Sequence, residues 1–175
     1  MVKLVVGLGN PGKSYVSTRH NVGYRVIEVL EAAAPPGVLL FKPSGFMNTA
    51  GASVAETARR KGISPFDLLV VCDDFSLPLG TLRFRLKGSS GGHNGLDSIL
   101  QTFGTQEVPR LRLGIGPVPD DEDPADFVLA RFFRREKASV DKMVQQSAEA
   151  VRTACADGLA TAMNRFNKKT GVADA

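Results

Sequence analysis

GLGNPG, residues 7–12, matches G-x-G-x-x-G letter for letter and directly follows an apolar run, KLVVG at 3–7, that reads as a buried strand. How these glycines are used decides the fold. A dinucleotide site needs a helix that starts at the loop, so that its N-terminus faces a pyrophosphate. It also needs a second strand ending in an acidic residue about 20 residues on, to hold a ribose. Here Pro11 and a turn-prone stretch to residue 20 follow the loop, and at that offset Glu28 and Glu31 fall within a helical pattern. The context therefore argues against a nicotinamide or flavin site. The glycines still let the chain leave a strand sharply, displaying Asn10 at the C-terminal end of the sheet, where α/β proteins place their sites.

Outward from this loop, strand and helix patterns interleave. NVGYRVIEVLEAA (21–33) puts Val22, Val26, Val29 and Leu30 on one helical face, with Asn21 as a candidate cap, and APPG (34–37) stops it. VLLFK (38–42) reads as a strand, 47–62 as a helix ending at Gly62, and DLLVVCDD (67–74) as the clearest buried strand. TLRFRLK (81–87) and RLRLGIG (110–116) alternate apolar and basic residues, which predicts antiparallel pairing towards one edge of the sheet. Between them lie a glycine loop (88–95) and a helix, GLDSILQTF. An acidic surface loop (119–126) and a long amphipathic helix (135–158) follow. The expectation is an α/β fold: one domain over 1–175, with a mixed, twisted sheet flanked by helices.

The 175 residues are 43% hydrophobic, enough for a core, and carry a net charge of +4. That mild excess suits a polyanionic partner without identifying one. No apolar run approaches membrane-spanning length and no secretory leader precedes the first strand, so a soluble protein is expected. Cys72 and Cys155 are far apart and show no metal-ligand spacing, which fits a reduced cytoplasm. An organellar location stays open if a targeting segment precedes Met1.

The chemistry-bearing residues cluster at strand ends and helix starts. The two histidines each precede an asparagine, in RHN (19–21) and GHN (92–94); Asn48 lies in FMN (46–48), and Asp73 and Asp74 end the apolar strand. An ordinary imidazole titrates near pH 6.5, so His20 is the candidate general base, with Asp73 or Asp74 available to orient it. No serine or cysteine context suggests a nucleophile, and Cys72 falls inside the buried strand, so the base would activate water rather than a side-chain nucleophile. The asparagine amides could serve a developing oxyanion. Two histidines without H-E-x-x-H make a poor metal set. The plainer readings are that Asn21, Asn48 and Asn94 cap helices, that a histidine before a helix caps it or packs at the surface (His93 more than His20), and that Arg83, Arg85 and Lys87 are a solvated strand face. The alternative for that face is a phosphate-binding stripe, extended by Arg112.

VVGLGNPGKSYVSTRHNVG (5–23), FMNTAG (46–51), VVCDDFSLPLG (70–80), GSSGGHNGLDSI (88–99) and PRLRLGIG (109–116), in this order, resemble the bacterial-type peptidyl-tRNA hydrolase family. The resemblance implies a metal-independent enzyme, needing no cofactor, that cleaves the ester between a peptide and the 3′-terminal ribose of tRNA. It implies that His20 activates water, that Asp73 orients His20, and that Asn10 contacts the substrate beside the scissile ester. Asn48 and Asn94 would hold the peptide backbone and the 3′ CCA end, with Tyr15 and Phe46 lining the cleft. Arg85 and Arg112, assisted by Lys87, would grip phosphates of the acceptor arm. A cytoplasmic monomer is the implied state. The connection APPGVLLFKPSG (34–45) is about one hairpin shorter than family members usually carry, exposing a sheet edge or loosening the wall beside Asn48. Ser76 stands where an acidic residue is common. A second reading is a non-catalytic, RNA-associated or protein-binding relative, as in a chloroplast group II intron splicing factor that resembles the hydrolase.

Overall fold

Leu4, Val5 and Val6 are all fully buried, yet they belong to two cores: Val5 to one, Leu4 and Val6 to the other. Successive strand side chains point to opposite faces, so a strand buried on both faces divides its residues between two layers. This is the plan of the whole protein in the computed structural model, which describes residues 1–167. Strand β1 (Leu4–Gly7) lies between β2 (Leu39–Phe41) and β3 (Leu68–Pro78), both parallel to it. Strand β5 (Arg110–Gly116) runs parallel to β3, and β4 (Leu82–Arg85) closes the far edge antiparallel to β5, giving the order β2-β1-β3-β5-β4. Helices α1 (Val22–Glu31), α5 (Lys137–Asp157) and α6 (Leu159–Phe166) cover one face. Helices α2 (Ala50–Lys61) and α3 (Asn94–Phe103) cover the other. A short helix, α4 (Pro124–Leu129), lies near the C-terminal end of the sheet.

The glycines of 7–12 serve packing. A Cβ on Gly7 would lie 2.4 Å from the Gly23 carbonyl oxygen, and one on Gly23 would lie 2.5 Å from that of Val71. A Cβ on Gly9 would fall 2.6 Å from the Tyr24 ring. Helix α1 thus sits directly on the ends of β1 and β3. It begins at Val22, after a 3-10 turn over Arg19–Asn21, and not at the glycine loop. The geometry that would present a helix N-terminus to a pyrophosphate beside GLGNPG is absent.

The mixed α/β sheet and the antiparallel β4–β5 pair match expectation. Several boundaries move. The strand expected over 38–42 is only Leu39–Phe41, a half-buried edge with prolines at 35, 36 and 43; a short edge so bounded offers little for another chain to pair with. The 47–62 helix opens with a 3-10 turn over Met47–Thr49. Strand β4 stops at Arg85, so Lys87 lies beyond it, and α4 starts within the stretch expected to be an acidic loop. The long C-terminal pattern divides into a 3-10 turn (Arg134–Glu136) and α5, and α6 follows. None of the three asparagines caps its helix. Asn21 sits at the N-cap without a side-chain bond, Asn48 lies inside a 3-10 turn, and Asn94 is the first residue of α3, which His93 caps.

Candidate active site

Asp73 ends the buried part of β3, where the apolar run has carried the backbone through the core and its carboxylate emerges between two helix starts. His20 arrives from the turn before α1 and His93 from the turn before α3. His20 Nδ1 lies 2.9 Å from both Asp73 oxygens, and His93 Nε2 lies 2.8 Å from Oδ1. His93 Nδ1 accepts the Leu96 backbone N–H at 3.2 Å, so it must be unprotonated and the Nε2–H donates to Asp73. A carboxylate that accepts at His20 Nδ1 likewise holds that proton there and leaves Nε2 as the free base. Burial alone would raise the Asp73 carboxyl, but the two imidazoles of His93 and His20 bonded to it outweigh that and hold Asp73 well below the usual carboxylate range. Asp74, the alternative partner, turns away to pair with Arg112 and to accept the Ser76 N–H.

These three side chains could supply ligand atoms to a cation, since the atoms lie within 4.8 Å of one another. Their 2.8–2.9 Å spacing, with each imidazole N–H aimed at an oxygen, suits hydrogen bonds between the groups rather than lone pairs turned towards a shared ion. Cys72 is buried beside them and its thiol is pushed up by burial, so it offers no thiolate.

A cleft of about 570 Å³ opens beside the triad. The structure brings His20, Asp73, Asn94, Arg85, Lys87 and Arg112 into its walls, with the glycine loop on one side and the start of α4 on the other. Arg83 and Arg85 on β4 stand directly opposite Arg112 and Arg110 on β5, so four guanidinium side chains share one face, an arrangement unfavourable without anionic partners. Arg112 has Asp74; Arg85 and Lys87 are exposed and have no ion-pair partner among the described residues.

Asn10, Tyr15, Phe46 and Asn48 do not line this cleft. They form a second group, tied to the His20 turn. Asn21 exchanges two 2.9 Å hydrogen bonds with the Asn10 backbone, and Asn10 Oδ1 accepts the Met47 N–H at 2.9 Å. That fixes the Asn10 amide with its Nδ2 available to donate. Tyr15 and Phe46 meet edge to face, ring centroids 6.1 Å apart, and Asn48 is exposed. The wall beside Asn48 is therefore anchored, at Met47 by Asn10 and at Pro43 by the Tyr24 hydroxyl.

Three residues escaped the sequence reading. His93 looked like a cap or surface histidine; it is a cap, and it also reaches Asp73. Arg110 is buried and donates to the carbonyls of Gly88, Ser89 and Gln106, pinning the glycine loop. Arg19 is buried under Phe127, Phe132 and Phe133 and pairs with Glu136 at 3.0 Å. Alternation of basic and apolar residues over 110–116 was the one available signal for Arg110.

Comparison with known proteins agrees with this geometry. The profile of the family described as peptidyl-tRNA hydrolase matches residues 4–36 and 30–173. The two matched stretches meet where the connection 34–45 begins. Peptidyl-tRNA hydrolase from Elusimicrobium minutum is 40% identical over 187 aligned positions, covering 96% of this chain and all of the relative. That from Methylacidiphilum infernorum is 41% identical, covering 94% and 97%. The first alignment is longer than this 175-residue chain, so residues of the relative have no counterpart here. Among solved structures, a complex of peptidyl-tRNA hydrolase with N-propanol superposes with a TM-score of 0.88 at 30% identity, covering 95% of this chain and 94% of that one. The enzyme from Acinetobacter baumannii gives 0.86 at the same identity and coverage. The Escherichia coli endopeptidase HycI shares the fold alone, at 15% identity and TM-score 0.55. On sequence and structure together, this chain belongs to the peptidyl-tRNA hydrolase family.

Proposed function

We propose that the chain hydrolyses the ester of peptidyl-tRNA, releasing peptide and free tRNA, with water activated by His20. The observation that carries the mechanism is the His20 Nδ1–Asp73 bond, which leaves Nε2 as a free, oriented base. His20 Nε2 removes a proton from water as its oxygen bonds to the ester carbonyl carbon. The tetrahedral intermediate then collapses, breaking the bond to the ribose oxygen, which takes the proton back from His20. The Asn10 Nδ2 donates to the oxyanion or to the peptide beside it. A ribose ester is easier to cleave than an amide, so this set suffices without an electrophilic metal.

Asn94 and the glycine loop would receive the 3′ CCA end, and Arg85, Lys87 and Arg112 the acceptor-arm phosphates. Tyr15, Phe46 and Asn48 would bound the path of the peptide. We place the protein in the cytoplasm as a monomer, a reading supported by its two free cysteines and its bacterial relatives. Among the described residues, no helix is long and apolar enough to cross a membrane. A purely RNA-associated role is less well supported, because burying a carboxylate beneath two imidazoles is costly and gives a binding module nothing.

The test is release of free tRNA from N-acetyl-aminoacyl-tRNA by the purified protein in EDTA, beside His20→Ala. Release by the wild type alone is the expected result; equal release by the variant would overturn the mechanism.

A further inference from the structure

The segment Arg131–Arg135, RFFRR, has no part in the mechanism above, yet it carries three exposed guanidinium groups, on Arg131, Arg134 and Arg135. None has an ion-pair partner among the described residues. Two acids of the following turn and helix, Glu136 and Asp141, are already engaged. Glu136 turns inward to Arg19 at 3.0 Å and accepts the Phe133 N–H at 2.6 Å, while Asp141 pairs with Arg25 at 2.7 Å and Lys137 at 2.6 Å. A shallow groove of about 440 Å³ lies here, its lining including Val16, Ser17, Arg131, Arg134 and Lys137, with Arg25, Glu28 and Asp141 also in its walls; Glu28 pairs with Lys42 at 3.2 Å.

The patch is held rigidly beside the site. Thr18 and Arg131 form an isolated antiparallel bridge, and the Arg19 N–H donates to the Ala130 carbonyl at 3.0 Å, so the patch shares the turn that presents His20. Arg135 lies 4.6 Å from the Phe133 ring centroid, and Arg19 lies 5.4 Å from it. With its ring engaged by these two cations, Phe133 serves to hold the Arg135 guanidinium rather than to stack a base; the stacked guanidinium keeps its N–H edge for an oxyanion. Sign also changes along the surface: acidic residues 120–123 precede α4 and the basic run follows it, so an anion is repelled at one end of α4 and attracted at the other.

We propose that Arg131, Arg134 and Arg135 form a second phosphate-binding patch for the tRNA backbone, flanking the His20 turn and separate from Arg85, Lys87 and Arg112. This rests on tRNA being the substrate. It assigns the patch affinity and orientation of the RNA, with no part in cleavage.

The double variant Arg134→Gln/Arg135→Gln keeps the side-chain stems and alters only exposed groups. Its binding to a labelled RNA hairpin that mimics the acceptor arm and ends in CCA is measured by fluorescence anisotropy across a salt series. Affinity is expected to fall about tenfold near physiological salt, with the log Kd–log salt slope shallower by about 2. Cleavage of an N-acetyl-aminoacyl ester of the CCA trinucleotide, which is too short to span the patch, should keep its kcat and KM. Unchanged hairpin affinity and slope would overturn the proposal and leave a protein-docking or merely solvated face. Slower cleavage of the trinucleotide ester would overturn it too, by making the segment part of the catalytic scaffold. The binding arm needs no turnover: a wild type that binds the hairpin but releases no tRNA would sink the enzymatic reading and leave the patch standing.

Discussion

His20 and His93 lie with ring centroids 4.8 Å apart and donate to the same Asp73 carboxylate, one through Nδ1 and the other through Nε2. The two rings are not equivalent. His93 spends its second nitrogen on the N-terminus of α3, whereas His20 keeps its own free. One carboxylate thus orients His20 and ties the two helix starts together.

Replacing His20 by Ala should lower tRNA release by about 10²–10⁴-fold, the usual contribution of a general base. The protein should stay folded but lose about 1–2 kcal/mol of stability, because the buried ring gives up its bond to Asp73. Full activity in a folded His20→Ala protein would remove the base from the mechanism.

Asp73→Asn tests the orienting carboxylate and the pH dependence of stability together. The ordinary Asp carboxyl value is 3.8, and in the folded protein Asp73 lies below it. Its stabilisation is therefore complete above about pH 4 and is lost as the pH falls below that, towards the folded value. Urea unfolding between pH 6 and pH 3, roughly spanning that range, should show a steeper loss for the wild type than for Asp73→Asn. Equal slopes would mean that the buried carboxylate is not what fails in acid.

The two jobs of His93 can be separated with Asn, which caps helices well but is too short to span from the cap to Asp73. His93→Ala should cost about 1–2 kcal/mol in stability, for the lost cap and the lost bond to Asp73. His93→Asn should recover most of the cap contribution while its kcat remains as low as that of His93→Ala. Recovery of kcat along with stability would reduce His93 to a cap.

Arg85→Ala should weaken tRNA binding and lower the salt slope by about 1, as one phosphate contact is removed. Arg112 already has Asp74 as a partner, so Arg112→Ala should change the slope less. An Arg85→Ala slope equal to that of the wild type would return Arg85 to the solvated-face reading.

Gly23→Ala probes the seating of α1. The new methyl would meet the Val71 carbonyl oxygen at 2.5 Å and the Leu8 backbone at 2.6 Å, and backbone cannot swing aside. A loss of about 1–3 kcal/mol is expected, in spite of the better helix propensity of Ala. A higher melting temperature would show that α1 has slack against the sheet.

Local patterns determined much of this protein. A parallel strand buried on both faces must be apolar throughout, so KLVVG and LLVVC announced β1 and β3. Gly62 ended α2 with the positive φ that glycine tolerates, and alternating basic residues marked the β4–β5 edge. The motifs also marked His20 and the Asp73–Asp74 pair, though 53 residues separate His20 from Asp73. What only the tertiary structure decided concerns where a side chain points once distant segments meet. Asp73 rather than Asp74 orients His20, because strand alternation sends the two to different partners. Asn21 locks the Asn10 loop instead of capping α1, and Arg110 faces the glycine loop instead of solvent. His93 serves as cap and carboxylate donor at once, a double use that no pattern along the chain could distinguish from capping alone. Periodicity depends on neighbours in the chain, whereas hydrogen-bond partners are chosen by long-range packing, and the site is made almost entirely of such choices.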